Sequence, residues 1–264
     1  MPYEFHKDRV KYFQIQTEVT QHFILPFIQK KHQLPETGAV LEIGCGEAGV
    51  LKAFTELGWQ AVGVDLAQEK LQLASQLMAT EVEQGQLRLI NKNIYEESFK
   101  KEFAGQFDLI ILKDVIEHIP QQSKLLSYLH TFLKQDGVIF FAFPPWLMPF
   151  GGHQQMCQSF LKKVPYFHLL PRPLYRWILK LGGEPPSKIE GLLANKRTGI
   201  TIERFERILK KTGYQILHRR LYLFNPIYRY KFGLKPREQF AWLASLLYLR
   251  DFFTSGIYYL VKKI

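Results

Sequence analysis

Eleven residues, Val40–Val50 (VLEIGCGEAGV), constrain this chain more than any other stretch. Ala39 to Glu42 suit a buried strand, and Gly44, Gly46 and Gly49 follow at G-x-G-x-x-G spacing. Glycines so placed allow a sharp turn and bring bare backbone N–H groups against a ligand at the start of the next helix. The spacing alone is shared with dinucleotide-binding proteins and with many unrelated loops. Glu42 narrows the choice, because a carboxylate at the end of the strand repels a pyrophosphate and suits a cationic or hydroxyl-bearing ligand.

Strand and helix alternate around that turn. A helix over about residues 48–57 leads to a second strand, 60–64, ending on Asp65, and a helix over 68–83 leads to a third, 87–91. Residues 107–112 (FDLIIL) form a fourth strand, a helix over 121–134 follows, and Asp136-Gly137 turns into a fifth strand, 138–143. Strands apolar on both faces and separated by helices predict a parallel sheet covered on each side. Residues 7–31 read as one or two amphipathic helices divided at Pro26. From residue 144 to 196 the alternation stops, and prolines, glycines and aromatics predict an inserted lid or substrate-facing segment. A helix over 201–211, a strand over 214–224, a helix over 236–250 and a last strand over 256–262 complete the chain. The expected division is therefore 1–143 (N-terminal helices and cofactor-binding half), 144–197 (insertion) and 198–264 (completion of the sheet).

Asp65 stands about twenty residues beyond the glycine turn, where α/β nucleotide folds accept ribose hydroxyls. It would equally cap the helix that follows. His153 follows the flexible pair Gly151-Gly152. An imidazole of ordinary pKa, about 6.5, suits removal of a proton from a phenol or hydroxyl, and it also suits a histidine that shapes the lid.

The run Glu42-Ile-Gly44-Cys-Gly46-Glu-Ala-Gly49 resembles the first motif, E/D-x-G-x-G-x-G, of the class I S-adenosylmethionine-dependent methyltransferases, with the third glycine one place late. Phe107–Pro120 (FDLIILKDVIEHIP) is similar to the fourth motif of the UbiE/UbiG-like small-molecule branch. The resemblance implies a Rossmann-like, seven-stranded, mostly parallel sheet with an antiparallel last strand and helices on both faces. With the lid inserted after strand five, it implies S-adenosyl-L-methionine as cofactor. Contacts are implied from Glu42, Gly44, Cys45, Gly46 and Gly49; from Asp65 and Leu66; from Asn93 and Ile94 near the adenine; and from Lys113 and Asp114 after the fourth strand. Asn93 replaces a frequently acidic residue, and its amide oxygen can still accept a hydrogen bond, although Asn is also a common turn former. His118 is a second catalytic candidate or a histidine that bonds its own loop. Phe143-Pro144-Pro145-Trp146 departs from the (N/D)PP(Y/W/F) loop of amino-group methyltransferases and reads as a rigid exit into the lid.

Charge and composition bear on partners. Lys and Arg outnumber Asp and Glu by 35 to 24, leaving a net charge of +11 that suits an anionic lipid surface, an acidic substrate or nucleic acid. The stretch 160–181 interleaves Lys162, Lys163, Arg172, Arg176 and Lys180 with aromatics, as lid core, membrane-facing surface or nucleic-acid surface. Cys45 and Cys157 make neither a disulfide framework nor a metal-ligand cluster, so no metal is expected and a reducing cytoplasm fits. The charged N-terminus, MPYEFHKDRVKYF, lacks the apolar run of an export signal. Phe240–Val261 is nearly long enough to span a membrane, but Arg250 and Asp251 sit in its centre. The expected activity is methyl transfer to a hydrophobic or anionic small molecule, lipid-like or phenolic. It would take place in the cytoplasm, with peripheral contact to the inner face of an anionic membrane. RNA or protein methylation is the rival within the reaction class. An NAD-dependent oxidoreductase is the rival outside it, and a fold that binds without turnover is a third reading.

Overall fold

A computed structural model describes residues 8–264; the charged segment through residue 7 lies outside the described residues. Eight strands form one sheet: β1 (Ala39–Ile43), β2 (Gln60–Val64), β3 (Leu87–Ile90), β4 (Phe107–Lys113), β5 (Leu133–Phe143), β6 (Tyr214–Phe224), β7 (Arg237–Glu238) and β8 (Gly256–Lys263). Their order is β3-β2-β1-β4-β5-β8-β6-β7. The first five run parallel, and β8 lies antiparallel between β5 and β6. Because the order reverses between β1 and β4, a crevice opens beyond the carboxyl ends of those two strands.

The apolar strands are explained by two cores. Val40, Leu109, Ile111, Val138 and Phe140 face one side of the sheet. Their neighbours Leu41, Ile110, Leu112, Ile139 and Phe141 face the other. Side chains that alternate across a sheet covered on both faces must all be apolar, and burying each contributes about 1.5–3 kcal/mol.

Three sequence expectations need correction. β5 starts at Leu133, and Asp136-Gly137 lies inside it beside a register shift against β4. A Cβ at Gly137 would come within 2.8 Å of the Phe107 carbonyl oxygen, so the glycine serves close strand approach there, not a turn. The helix over 68–83 is two, Gln68–Leu77 and Ala79–Glu83, broken at Met78. The helix over 236–250 does not form. Arg237–Glu238 instead adds an eighth, two-residue strand to the expected seven, followed by single turns Ala241–Ala244 and Leu249–Phe252. The cause lies in Arg250 and Asp251, which turn inward. Arg250 pairs with Glu203 at 3.0 Å and Glu206 at 2.9 Å, and Asp251 accepts from the Ile202 N–H at the start of the helix Ile202–Lys211. Among the described residues no helix is long and apolar enough to cross a membrane.

At the N-terminus the helix Arg9–Val19 passes through a π-helical turn, Thr20–Ile24, into Leu25–Gln29. Pro26 lacks the N–H that an α-helical ladder needs, which accounts for the interruption. Residues between β5 and Ile202 carry two longer helices, Arg172–Leu181 and Pro186–Thr198, around a small core of their own that includes Leu161, Phe167, Tyr175, Leu179 and Leu193. Trp146 roots this insertion. Its N–H donates to the Ile200 carbonyl at 2.8 Å, and its indole covers Gly199 so closely that a Cβ there would clash at 2.1 Å.

Candidate active site

The glycine turn wraps the ends of β1 and β2. Gly44 and Cys45 donate their N–H groups to the Val64 carbonyl at 2.7 and 3.2 Å, which needs the left-handed backbone that Gly44 adopts at φ +72°. Gly49 has a different task. A Cβ there would sit 2.5 Å from the Phe13 carbonyl oxygen, so the third glycine lets the helix Arg9–Val19 lie directly on the helix Gly49–Thr55. That contact carries Tyr12, Phe13 and Gln16 over the turn, where they wall a cleft of about 150 Å³ with Glu42, Gly44, Cys45, Gly46, Gly49, Lys113 and Asp114.

Asp65 holds the turn from the side. One carboxylate oxygen accepts from the Gly46 N–H at 2.9 Å, the other from the Ala67 N–H at 2.8 Å at the start of the next helix. It therefore braces both the glycine turn and the turn leading into the next helix, and a carboxylate retains lone pairs beyond those two bonds. Glu42 is 3% exposed and faces the cleft, with its Oε2 lacking any partner. Burial pushes its carboxyl well above the usual range, Lys113 pulls it back, and Asp65 and Asp114 push it further up. A buried carboxylate this short of donors favours a cation or an N–H group arriving in the cleft.

After β4 the chain turns through Asp114, at φ +56°, and Lys113 Nζ reaches Asp114 Oδ2 at 2.6 Å. Burial opposes both charges, but each holds the other ionised: the Lys113 pKa is raised and that of Asp114 lowered. Tyr12, Lys113 and Asp114 belong to two spaces. They line the cleft beside the glycines and also a cavity of about 520 Å³. The larger cavity is walled by aromatic and apolar groups, among them Phe143, Met148, Phe150, Tyr228 and Tyr258, together with Lys162, Lys163 and Lys231. Burial lowers Lys231 to about 8, with Asp114 opposing that shift.

His153 lines this cavity. Burial first, then His118, lower its pKa to about 4, against a smaller upward pull from Asp114. The imidazole is thus neutral at physiological pH and able to accept a hydrogen bond, but it is a weaker proton acceptor than an unperturbed histidine. His118 is exposed and ties the turn after β4 to the insertion, its Nδ1 lying 3.1 Å from Asn195 Oδ1. The two rings lie 4.9 Å apart, beside Glu117.

The fold thus gathers Glu42, Gly44, Cys45, Gly46, Gly49, Lys113 and Asp114 around one cleft with Asp65 at its edge. Besides Asp65, which reaches the turn through Gly46, three expected contacts stand outside its lining. Leu66 is 73% exposed; Ile94 is packed into the core; Asn93 closes a turn, its Oδ1 accepting from the Tyr95 N–H at 3.1 Å. Tyr12, Phe13 and Gln16 are cleft residues that sequence reasoning placed only on an amphipathic helix. The signal that points to them is the late third glycine, whose missing side chain makes room for a neighbouring backbone. Phe143-Pro144-Pro145-Trp146 serves as the exit into the insertion, with Trp146 packed against Gly199 and His168.

A family model described as "Methyltransferase domain" matches residues 14–219, most of the chain. The chain belongs to that methyltransferase family. Its fold is that of the class I methyltransferases. Curated relatives include the ubiquinone biosynthesis O-methyltransferase of Leptothrix cholodnii, 31% identical over 38% of this chain and 42% of that protein. The enzyme of the same name from Methylococcus capsulatus is 25% identical over 68% of this chain and 78% of that one. The match to the first of these thus spans under half of the relative's length. Among solved structures, geranyl diphosphate C-methyltransferase from Streptomyces coelicolor A3(2), in complex with Mg2+, geranyl diphosphate and S-adenosylhomocysteine, superposes with a TM-score of 0.58. The identity is 13%, covering 94% of this chain and 80% of that one. An S-adenosylmethionine-dependent methyltransferase from Clostridium acetobutylicum gives 0.57 at 16% identity, covering 95% and 92%. At these identities the structural likeness speaks for the fold.

Proposed function

We propose that this chain transfers a methyl group from S-adenosylmethionine to a hydrophobic, anionic small molecule, phenolic or lipid-like, bound in the large cavity. The observation that carries the reading is the junction at Tyr12, Lys113 and Asp114, where the glycine-turn cleft and the cavity share a wall. The orphaned Glu42 oxygen and the bare backbone of the turn fit a cationic nucleoside cofactor, with Asp65 for its ribose hydroxyls. When bound, that cofactor supplies a methyl group already activated by a sulfonium charge. The protein's task is then alignment and exclusion of water. Tyr12 and the helix bearing it cover the cleft, and Phe143, Met148 and Tyr258 keep the junction dry. Lys162, Lys163 and Lys231 attract an acceptor's negative group and favour ionisation of its hydroxyl. His153, neutral, accepts that hydroxyl's hydrogen bond. The printed name of the curated relatives favours oxygen as the accepting atom.

Peripheral contact with an anionic membrane belongs to the same reading. It is supported by exposed Phe160, Trp177 and Leu181 on the insertion and by Trp242, Leu247 and Tyr248 nearer the C-terminus. Radiolabelled methyl transfer to a panel of phenols with and without a carboxylate tests the activity. Labelling of the carboxylated phenols is expected. Transfer only to RNA or protein, or to nothing while S-adenosylhomocysteine binds, would contradict it. Retention in the soluble fraction after flotation with acidic liposomes would remove the membrane component alone.

A further inference from the structure

Glu117 and His118 sit on the short turn Ile116–His118 after β4, and His153 on the insertion, yet their ligand-capable atoms lie within 4.8 Å of one another. Sequence spacing gave no sign of this, since thirty-five residues separate the two histidines. Glu117 is 4% exposed, and neither of its carboxylate oxygens has a hydrogen-bond partner. His153 Nε2 is likewise buried and unpartnered. His118 Nε2 lies 3.9 Å from Glu117 Oε1. Its other nitrogen faces Asn195 Oδ1 at 3.1 Å. With the Asn195 amide oxygen accepting, the hydrogen sits on Nδ1 and the lone pair is on Nε2, the nitrogen nearer Glu117. Three potential ligand atoms thus face one another within 4.8 Å, and the buried side-chain oxygens of Glu117 and Nε2 of His153 have no side-chain hydrogen-bond partner there. Glu117 and His153 also both line the acceptor cavity.

We infer that Glu117, His118 and His153 bind a divalent first-row transition cation of the Zn2+ class in the wall of the acceptor cavity. Two imidazoles and one carboxylate suit such an ion, whereas Mg2+ and Ca2+ prefer all-oxygen sets. Bonds of about 2.1 Å require the ligand atoms to draw in from their present separation. Three protein ligands leave coordination positions open toward the cavity, where an acceptor's oxygen would bind and lose its proton more readily. In that state His153 holds the ion and not the substrate proton. Asn195, from the helix Pro186–Thr198, is a positioning residue that orients His118. The ion would also pin the insertion to the end of β4. Ion binding itself does not depend on the proposed methyl transfer; only the part given to the acceptor rests on that reading.

The test uses the untagged chain, stripped with a chelator and titrated with Co2+ while its visible ligand-field bands are followed, then with Zn2+ in competition. One Co2+ per chain is expected, displaced by Zn2+. The bands should be lost in Glu117→Gln and His153→Ala, and affinity should fall about 10-fold or more in Asn195→Ala. Calorimetry with S-adenosylhomocysteine on the same stripped proteins reports whether each variant is folded and should give wild-type affinity. Absence of the bands in a wild-type chain that binds S-adenosylhomocysteine would overturn the inference, as would unchanged bands in both ligand variants. Loss of S-adenosylhomocysteine binding by the stripped wild type would count against the cofactor reading instead.

Discussion

The cleft at the glycine turn takes much of its wall from one stretch of chain, Glu42 to Val50, and its shape follows from backbone geometry. The cavity beside it draws side chains from Tyr12, the ends of β4 and β5, the insertion, and residues 225–258. The first is rigid, held by N–H groups bonded to Val64 and Asp65. The second depends on the insertion, which is rooted where Trp146 packs against Gly199 and His168. A site built by backbone tolerates few substitutions and binds what every relative binds. A site built by distant side chains can change its ligand while the sheet stays the same.

That contrast can be broken most severely at Gly49. Gly49→Ala places a methyl against the Phe13 backbone oxygen, which cannot move without lifting the helix Arg9–Val19. The expected cost is about 2–3 kcal/mol in thermal or urea unfolding, by overpacking. S-adenosylhomocysteine affinity should fall with it, since Tyr12, Phe13 and Gln16 move too. Normal affinity with a normal melting point would show that the third glycine is dispensable.

His168 probes the other region. It is fully buried, its Nε2 donates to the Trp146 carbonyl at 2.7 Å, and burial lowers its pKa to about 4. The folded state therefore binds fewer protons than the unfolded state between about pH 6.5 and 4. Its stabilising contribution is complete above pH 6.5 and is lost as the pH falls toward 4. Between pH 7 and 5 the loss is about 2 kcal/mol from this residue. His168→Gln, which keeps a donor for Trp146, should flatten that part of the stability profile measured by urea unfolding, and an unchanged slope would contradict the assignment.

The smallest effect is expected at Lys231. Lys231→Met should raise KM for a carboxylated acceptor about 5-fold, close to 1 kcal/mol, for loss of one partly screened charge among several. S-adenosylhomocysteine affinity should stay the same in calorimetry. An equal change in both would mean that cleft and cavity are not separable.

Much of the cleft was legible in the sequence because its determinants are local. The glycine spacing, Glu42 and Asp65 lie on consecutive βα units, and strands apolar on both faces placed them at one edge of a covered parallel sheet. What stayed hidden depended on contacts between distant segments. Tyr12 reaches the cleft only because Gly49 lets two helices touch. Glu117 and His153 meet only because Trp146 and the small core around Tyr175 fold the insertion back over β4. Asn93 and Ile94 stand outside the lining of the cleft for the opposite reason: a local turn uses the Asn93 amide, and Ile94 is core. The region 236–250 looked helical by composition, yet the pairing of Arg250 with Glu203 and Glu206 outweighs local propensity.

Calorimetry of the wild type and Asp65→Asn against S-adenosylhomocysteine and against NAD tests the central claim most directly. The account expects one S-adenosylhomocysteine per chain, about 10-fold weaker binding in the variant through loss of charge-assisted bonds, and no measurable NAD binding. Tight NAD binding without S-adenosylhomocysteine binding would contradict it.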